Sequence, residues 1–372
     1  MAEGSGGAPI PAARGAEGSR AEATVVSVDA MGGDRGPAVV VAGLAKAAAG
    51  HPGIRFLLHG DEAALTPLVR RRRLLDRVSV RHAAEVVTMD AKPSHAMRRG
   101  SATSMWSTID AVREGEAAAA VSCGNTGALM AMSMLRLRKL PGVARPALAC
   151  LWPSRGPQGF NVLLDVGADV RADEGDLVQY ALMGAAYARA GLGIERPRVG
   201  LLNVGTEEHK GRPELRAAHE RIGATVGGRL DYVGFVEGSD FASDRVDVIV
   251  TDGFTGNVAL KTGEGTATLM GEFLREAFAY SPLSRVASVL ALTSMNRLRK
   301  RMDPRRVNGG VFLGLNGVVV KSHGSADATG VAAAIDLAVR LARSDFTAAI
   351  RERLEAAGAA ADEPLAEGGV RA

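Results

Sequence analysis

Ala118-Ala-Ala-Val-Ser122-Cys-Gly-Asn-Thr-Gly127 passes from a short run of small apolar residues into a polar, glycine-bearing turn, then into the helical spacing of Ala128–Leu137. That succession reads as strand, loop and helix, the unit from which an α/β sheet wrapped by helices is assembled. The same unit recurs on both sides of it. Strands are expected at Thr24–Val28, Ile54–Leu58, Val78–Arg81, Ala118–Ser122, Ala147–Leu151, Val162–Leu164, Val199–Asn203, Val233–Val236 and Val246–Thr251, most of them followed by Ala/Leu-rich helical segments. No internal repeat or long linker divides the chain, so a single α/β domain is expected over 23–358. The Gly/Ala/Pro/Ser-rich stretches at 1–22 and 359–372 read as tails, because they lack the apolar periodicity that offsets the entropy of ordering.

Of the 372 residues, 47% are apolar, enough for a sizeable core and too many for a disordered adaptor. Lys plus Arg (45) barely exceeds Asp plus Glu (41), and aromatics are scattered at 4%, so no nucleic-acid stacking platform is expected. Neither an apolar run long enough to cross a bilayer nor the apolar core of a signal peptide is visible, which points to a cytoplasmic protein. Cys123 and Cys150 stand far apart and outside any Cys/His cluster, so no disulfide framework, metal site or cofactor is expected.

Gly271–Arg306 breaks the rhythm: two helical stretches meet near Ser281–Pro282 with no strand between them, as in a projecting hairpin. Apolar Val286, Val289, Leu290, Leu292, Met295 and Leu298 lie beside basic Arg297, Arg299, Lys300 and Arg301. The pattern suits a membrane surface, an acidic partner, a dimer interface, or a packed helix pair with a solvated basic face.

Ligands of open α/β sheets gather where strands end and helices begin. Five such junctions are rich in glycine and small polar residues: Asp29–Asp34, Ser122–Gly127, Asn203–Gly211, Thr251–Asn257 and Lys321–Asp327. Each alone can be a capped turn; together they suggest an anion pocket, fitting phosphate. Only seven lysines occur, and Lys210 and Lys321 lie in these loops, with Lys261 one helical turn beyond Asn257. A compact ammonium fits against an anion where a guanidinium fork does not. Of the histidines, His209 and His323 fall in the loops. There is no Walker-type loop, no G-x-G-x-x-G after the first strand, no G-x-S-x-G elbow and no H-E-x-x-H, which disfavours NTPase, dinucleotide dehydrogenase, serine hydrolase and zincin chemistry.

At these loops the sequence resembles the bacterial acyl-[acyl-carrier-protein]:phosphate acyltransferases of phospholipid synthesis. Matching stretches include Val28-Asp-Ala-Met-Gly-Gly-Asp34, Lys92-Pro-Ser-His-Ala-Met-Arg-Arg99, Ser122-Cys-Gly-Asn-Thr-Gly-Ala-Leu-Met130, Thr251-Asp-Gly-Phe-Thr-Gly-Asn257, Val307–Gly317 and Lys321-Ser-His-Gly-Ser-Ala-Asp327, in order over about 300 residues. Cys123 departs from the pattern, standing where a small residue, usually Ala, is expected. The resemblance implies a homodimer with a three-layer α/β/α sandwich of the isocitrate/isopropylmalate dehydrogenase-like, phosphotransacetylase-related type. It implies transfer of a long fatty acyl chain from acyl-carrier protein to inorganic phosphate, with a membrane glycerol-3-phosphate acyltransferase consuming the acyl phosphate. A phosphotransacetylase using short acyl-coenzyme A and a silent membrane-associated scaffold are the alternatives.

From residue chemistry, Asn125, Lys210 and His323 are the candidate catalytic groups, with His323 assisting proton transfer to the leaving sulfur. Gly124, Thr126, Gly127, Asn257, Lys261 and Lys321 are the candidate phosphate or substrate contacts. Asp29, Asp165 and Asp252 are placed behind them, since a bare carboxylate would repel phosphate. Arg297, Arg299, Lys300 and Arg301 are the candidate docking residues for carrier protein or membrane.

Overall fold

The computed structural model describes residues 24–98, 100–225, 230–293, 309–344 and 346–362. The expected strands all form, as β1 (Val25–Asp29), β2 (Arg55–Gly60), β3 (Val78–His82), β4 (Ala119–Ser122), β5 (Ala147–Pro153), β6 (Phe160–Leu164), β7 (Arg198–Leu202), β8 (Asp231–Val236) and β9 (Val248–Val250). Two more, β10 (Gly310–Leu313) and β11 (Val318–Lys321), were not among the expectations. They flank Asn316-Gly317, a dipeptide that favours tight hairpin turns.

The hairpin decides the architecture. Among the described residues the sheet has 11 strands in the order β3-β2-β1-β4-β11-β10-β5-β6-β9-β7-β8. β3, β2, β1, β4 and β11 run parallel, as do β6, β9, β7 and β8. Between these sets, β11–β10, β10–β5 and β5–β6 pair antiparallel, so the two parallel halves run in opposite directions. The ends of β4, β11 and β6 are thereby drawn towards the middle of one continuous sheet.

Strand alternation separates two cores, one on each face. Val26, Val28, Val121, Val318 and Val320 face α1 (Pro37–Gly50), α2 (Glu62–Arg71), α6 (Glu174–Leu192), α7 (Pro213–Thr225), α10 (Ala328–Arg343) and α11 (Phe346–Asp362). Ala120, Leu148, Phe312 and Val319 face α4 (Ser104–Arg113), α5 (Thr126–Arg136) and the start of α8 (Gly253–Ala279). Short α3 (Pro93–Arg98) packs on α5. The result is helix, sheet and helix in three layers. Ala-rich α11 continues to Asp362, past the expected boundary at 358.

The hairpin near Gly271 needs correction at its root. The break falls where Ser281–Pro282 places it: Ser281 caps α9 (Pro282–Leu290) by accepting from the Ser284 N–H at 3.1 Å, and Pro282 occupies the first helical position. The first arm, however, begins at Gly253. A single 27-residue helix carries Asn257 and Lys261 at one end and the projecting apolar side chains at the other.

Candidate active site

In-register pairing sets Asp29 beside Ser122 and Ser122 beside Lys321. Alternation sends all three side chains to the α4/α5/α8 face, opposite Val28, Val121 and Val320. Asp29 is buried: one carboxylate oxygen accepts from Ser104 Oγ at 2.7 Å and the Met31 N–H at 3.1 Å, the other from Ser122 Oγ at 2.7 Å. Burial raises its pKa, against the lowering effect of those bonds. The Gly124 N–H donates to Ser122 Oγ at 3.0 Å, and a Cβ on Gly32 would stand 2.9 Å from Gly124 Cα, so the first two glycine loops are packed together. Gly127 lies against Pro93. These two glycines shape the loop and do not line the cavity described below.

Asn125 is the N-cap of α5. Its Oδ1 accepts from the Ala128 N–H at 2.9 Å, and its Nδ2 donates to the Met89 and Ala91 carbonyls at 2.8 and 3.0 Å. Both amide hydrogens are committed to the 89–91 loop, so the expected donation from Asn125 to an anion is not what the structure shows. The sequence offers no local sign of these partners, which lie more than thirty residues away.

A cavity of 430 Å³ opens between these strand ends and α8. Its lining combines polar Thr126, Asn257, Lys261, Glu264, Lys321 and His323 with apolar Leu148, Leu151, Trp152, Val166 and Leu260. Lys321 is buried, its Nζ donates to the Ser322 carbonyl, and burial pushes its pKa down to about 8, with the Lys261 charge acting in the same direction. Lys261 Nζ lies 3.2 Å from His323 Nε2 and 2.8 Å from a Glu264 oxygen, which is itself 3.8 Å from His323 Nε2. The His323 and Lys261 contacts hold Glu264 well below the usual carboxylate range, at about 2, although burial opposes them. Ser325 engages His323 from the other side, Oγ to Nδ1 at 2.8 Å. Glu264 was absent from the expected set. Its signal was local: it follows Lys261 by three residues on a helix, one face by geometry.

Lys210 does not join this group. It sits in the β7–α7 loop, paired with Glu207 at 2.6 Å, while its carbonyl accepts from Asn203 Nδ2 at 3.1 Å. Asp165 and Asp252 work on backbone. The Asp165 oxygens accept from the Leu148, Ala168 and Asp169 N–H groups at 2.8, 3.1 and 2.8 Å, and burial raises its pKa to about 6 against those bonds. Asp252 caps α8, accepting from the Thr255 N–H at 2.8 Å, and pairs with Arg212; burial alone would raise its pKa, but these contacts hold it below the ordinary value. Cys123 is buried and its thiol is pushed up by burial, which leaves no thiolate nucleophile there. Arg297, Arg299, Lys300 and Arg301 lie outside the described residues.

Two ammonium groups and an imidazole therefore line a cavity that also has apolar walls. Such a site can hold an anion against the reacting carbon of an apolar molecule.

Residues 24–349 match the model of a family described as fatty acid synthesis protein. The phosphate acyltransferase of Paracoccus denitrificans (strain Pd 1222) is 69% identical over 344 residues, 92% of this chain and 93% of that protein. The phosphate acyltransferase of Cereibacter sphaeroides (strain ATCC 17025 / ATH 2.4.3) is 67% identical over 341 residues, 91% of this chain and 93% of that protein. Among solved structures, a phosphotransacetylase from Streptococcus pyogenes superposes with a TM-score of 0.57 at 16% identity, covering 86% of this chain and 94% of the other. One from Staphylococcus aureus does so at 0.55 and 14%, covering 86% and 95%. At such identities the structural likeness shows the fold; the close relatives and the family match show that this chain belongs to the fatty acid synthesis protein family and is an acyltransferase.

Proposed function

We propose that the chain transfers a long-chain fatty acyl group from acyl-carrier protein to inorganic phosphate, giving acyl phosphate for phospholipid synthesis. The mixed lining of the cavity carries this reading: Lys321, Lys261 and His323 share one cavity with Trp152 and its apolar neighbours. A phosphate oxygen attacks the thioester carbonyl carbon, a C–O bond forms and the C–S bond breaks. The proton carried by the attacking hydrogen phosphate ends on the departing sulfur, relayed by His323. Phosphate brings its own nucleophilic oxygen, so the protein supplies position and charge, and no covalent intermediate is needed. Lys321 and Lys261 hold phosphate; Glu264 orients Lys261 and His323; Asn125 fixes the start of α5 beside them. Lys210 remains as a contact to incoming substrate at the β7–α7 loop, with no part in the bond change.

The test is phosphate-dependent acyl transfer with palmitoyl-carrier protein and, separately, palmitoyl- and acetyl-coenzyme A, following acyl phosphate by mass spectrometry. Product from the carrier-protein donor is expected. Product from acetyl-coenzyme A alone makes this a phosphotransacetylase, and none from any donor leaves a scaffold.

Homodimerisation and peripheral membrane contact belong to the same reading, with a membrane glycerol-3-phosphate acyltransferase taking the product. Their support is the outer part of α8 and α9, where Phe273, Tyr280, Leu283 and Leu290 are 52%, 90%, 79% and 84% exposed. Large apolar side chains gathered in this way mark an interaction surface. Among the described residues no helix is long and apolar enough to cross a membrane, so the contact proposed is peripheral. Reversing the charges of Arg297, Arg299 and Arg301 is expected to weaken co-sedimentation with anionic vesicles. Unchanged sedimentation excludes that contact, and a monomer by analytical ultracentrifugation excludes the dimer.

A further inference from the structure

We infer that the apolar part of the cavity lining, at Trp152, Gly263 and Ala267, seats the acyl chain, and that Gly263 determines the chain length accepted. The inference rests on the acyl-donor reading above and adds the part of the site that reads the donor's tail.

A Cβ on Gly263 would stand 2.3 Å from Trp152 Cη2 and 2.9 Å from Cζ2, so the indole edge lies directly against the helix backbone. Trp152 also packs on Phe241, ring centroids 5.2 Å apart and planes tilted by 58°, and Phe241 is itself buried. The turn that carries Phe241 is tied down by Asn161, whose Nδ2 donates to the Phe241 and Ser243 carbonyls at 3.1 Å each. Asn161 is also the residue opposite Trp152 in the β5–β6 ladder, so strand pairing and turn brace the same ring.

The indole thus fills the space beside Gly263, and any side chain added at 263 must displace it or project into the cavity. Glycine within a helix costs about 1 kcal/mol relative to alanine, and the close approach of Trp152 is a physical reason for that choice here. Ala267, one turn further along α8, lines the same cavity with a single methyl group. Cys150 also lines the cavity, and burial pushes its thiol up to about 12, so it contributes a neutral surface. Such walls suit an unbranched hydrocarbon chain whose reacting end lies by His323 and whose tail passes Trp152.

Tryptophan fluorescence offers a direct readout. The chain has two tryptophans, Trp106 and Trp152; Trp152 lines the cavity, whereas Trp106 stacks beneath the Arg136 guanidinium at 4.8 Å. In a Trp106→Phe background, titration of the full chain with octanoate, laurate and palmitate is expected to give saturable changes with affinity rising with length. Gly263→Leu is expected to weaken palmitate binding at least tenfold and octanoate less than twofold. Ala267→Leu is expected to show the same order, and it keeps the test open should Gly263→Leu fold poorly. Equal loss at all lengths, or no loss in both variants, overturns the inference. Phosphate-dependent turnover separates it from the reading beneath: length-dependent binding without acyl phosphate from any donor keeps the chain seat and removes the reaction. Turnover with an unchanged ratio of palmitoyl to octanoyl donors in both variants does the reverse.

Discussion

Lys321→Met is expected to lower kcat/KM for phosphate by about 10²- to 10³-fold while making the protein harder to unfold. The two effects share one cause. Lys321 is only 8% exposed, and burial, reinforced by the Lys261 charge, brings its pKa from 10.5 to about 8. A lysine whose pKa is lower in the native state is better protonated in the unfolded chain, so between about pH 8 and 10.5 the unfolded state binds more protons. Stability at this position therefore rises with pH across that window. Below about pH 8 the whole penalty for burying the ammonium is present, on the order of 3 kcal/mol for that lowering. Methionine fills similar space without charge, so its advantage in denaturant midpoint should be largest at pH 7 and vanish towards pH 10.5. Activity should move the opposite way. The charged form holds phosphate, so wild-type kcat/KM for phosphate should fall above about pH 8 with a one-proton slope that is missing in the variant. A Lys321→Met protein with wild-type phosphate kinetics would sink this assignment.

The strand-loop-helix rhythm is local, and local signals were legible. Ser122–Gly127 really does close a strand and open a helix, and Ser281–Pro282 really is a break between helices. The polar junctions after β4 and β11 and at the start of α8 converge because their strands carry them to one face, which was also readable in outline. What escaped depended on long-range pairing. β10 and β11 are short and end in glycine-rich turns, and their place between β4 and β5 comes from neighbours more than 150 residues away in the chain. For the same reason Asn125 resembles an anion donor until Met89 and Ala91 are brought to its amide. Lys210 resembles a site lysine until Glu207 is seen to hold it outside the cavity. Glu264 was hidden by a different habit of reading: carboxylates were excluded from the neighbourhood of phosphate. Its partners are Lys261 and His323, and its effect on phosphate is exerted through them.

Gly256→Ala is expected to destabilise the chain by about 3 kcal/mol and to reduce activity even at temperatures where it remains folded, whereas Gly265→Ala, nine residues along the same helix, is expected to stabilise by about 0.5–1 kcal/mol. Helix propensity favours alanine equally at both sites, so the difference isolates packing. A Cβ at 256 would fall 1.9 Å from the Asp165 carbonyl oxygen, backbone that the Asp165 side chain itself pins through three N–H groups. A Cβ at 265 would meet nothing within 4 Å. Gly253 repeats the close approach from the preceding turn, 2.0 Å from the Asp169 carbonyl oxygen, so the root of α8 is seated by glycine against one loop. Asn257, Lys261 and Glu264 leave the helix within about two turns of that contact, and a small tilt at the root moves them away from His323 and Lys321. Denaturant titration of both variants, with phosphate kinetics measured well below each midpoint, checks the argument. If the two substitutions behaved alike, α8 would not be seated on Asp165. If Gly256→Ala lost stability but kept full turnover, Lys261 on α8 would have no part in holding phosphate, and Lys321 would have to do so alone.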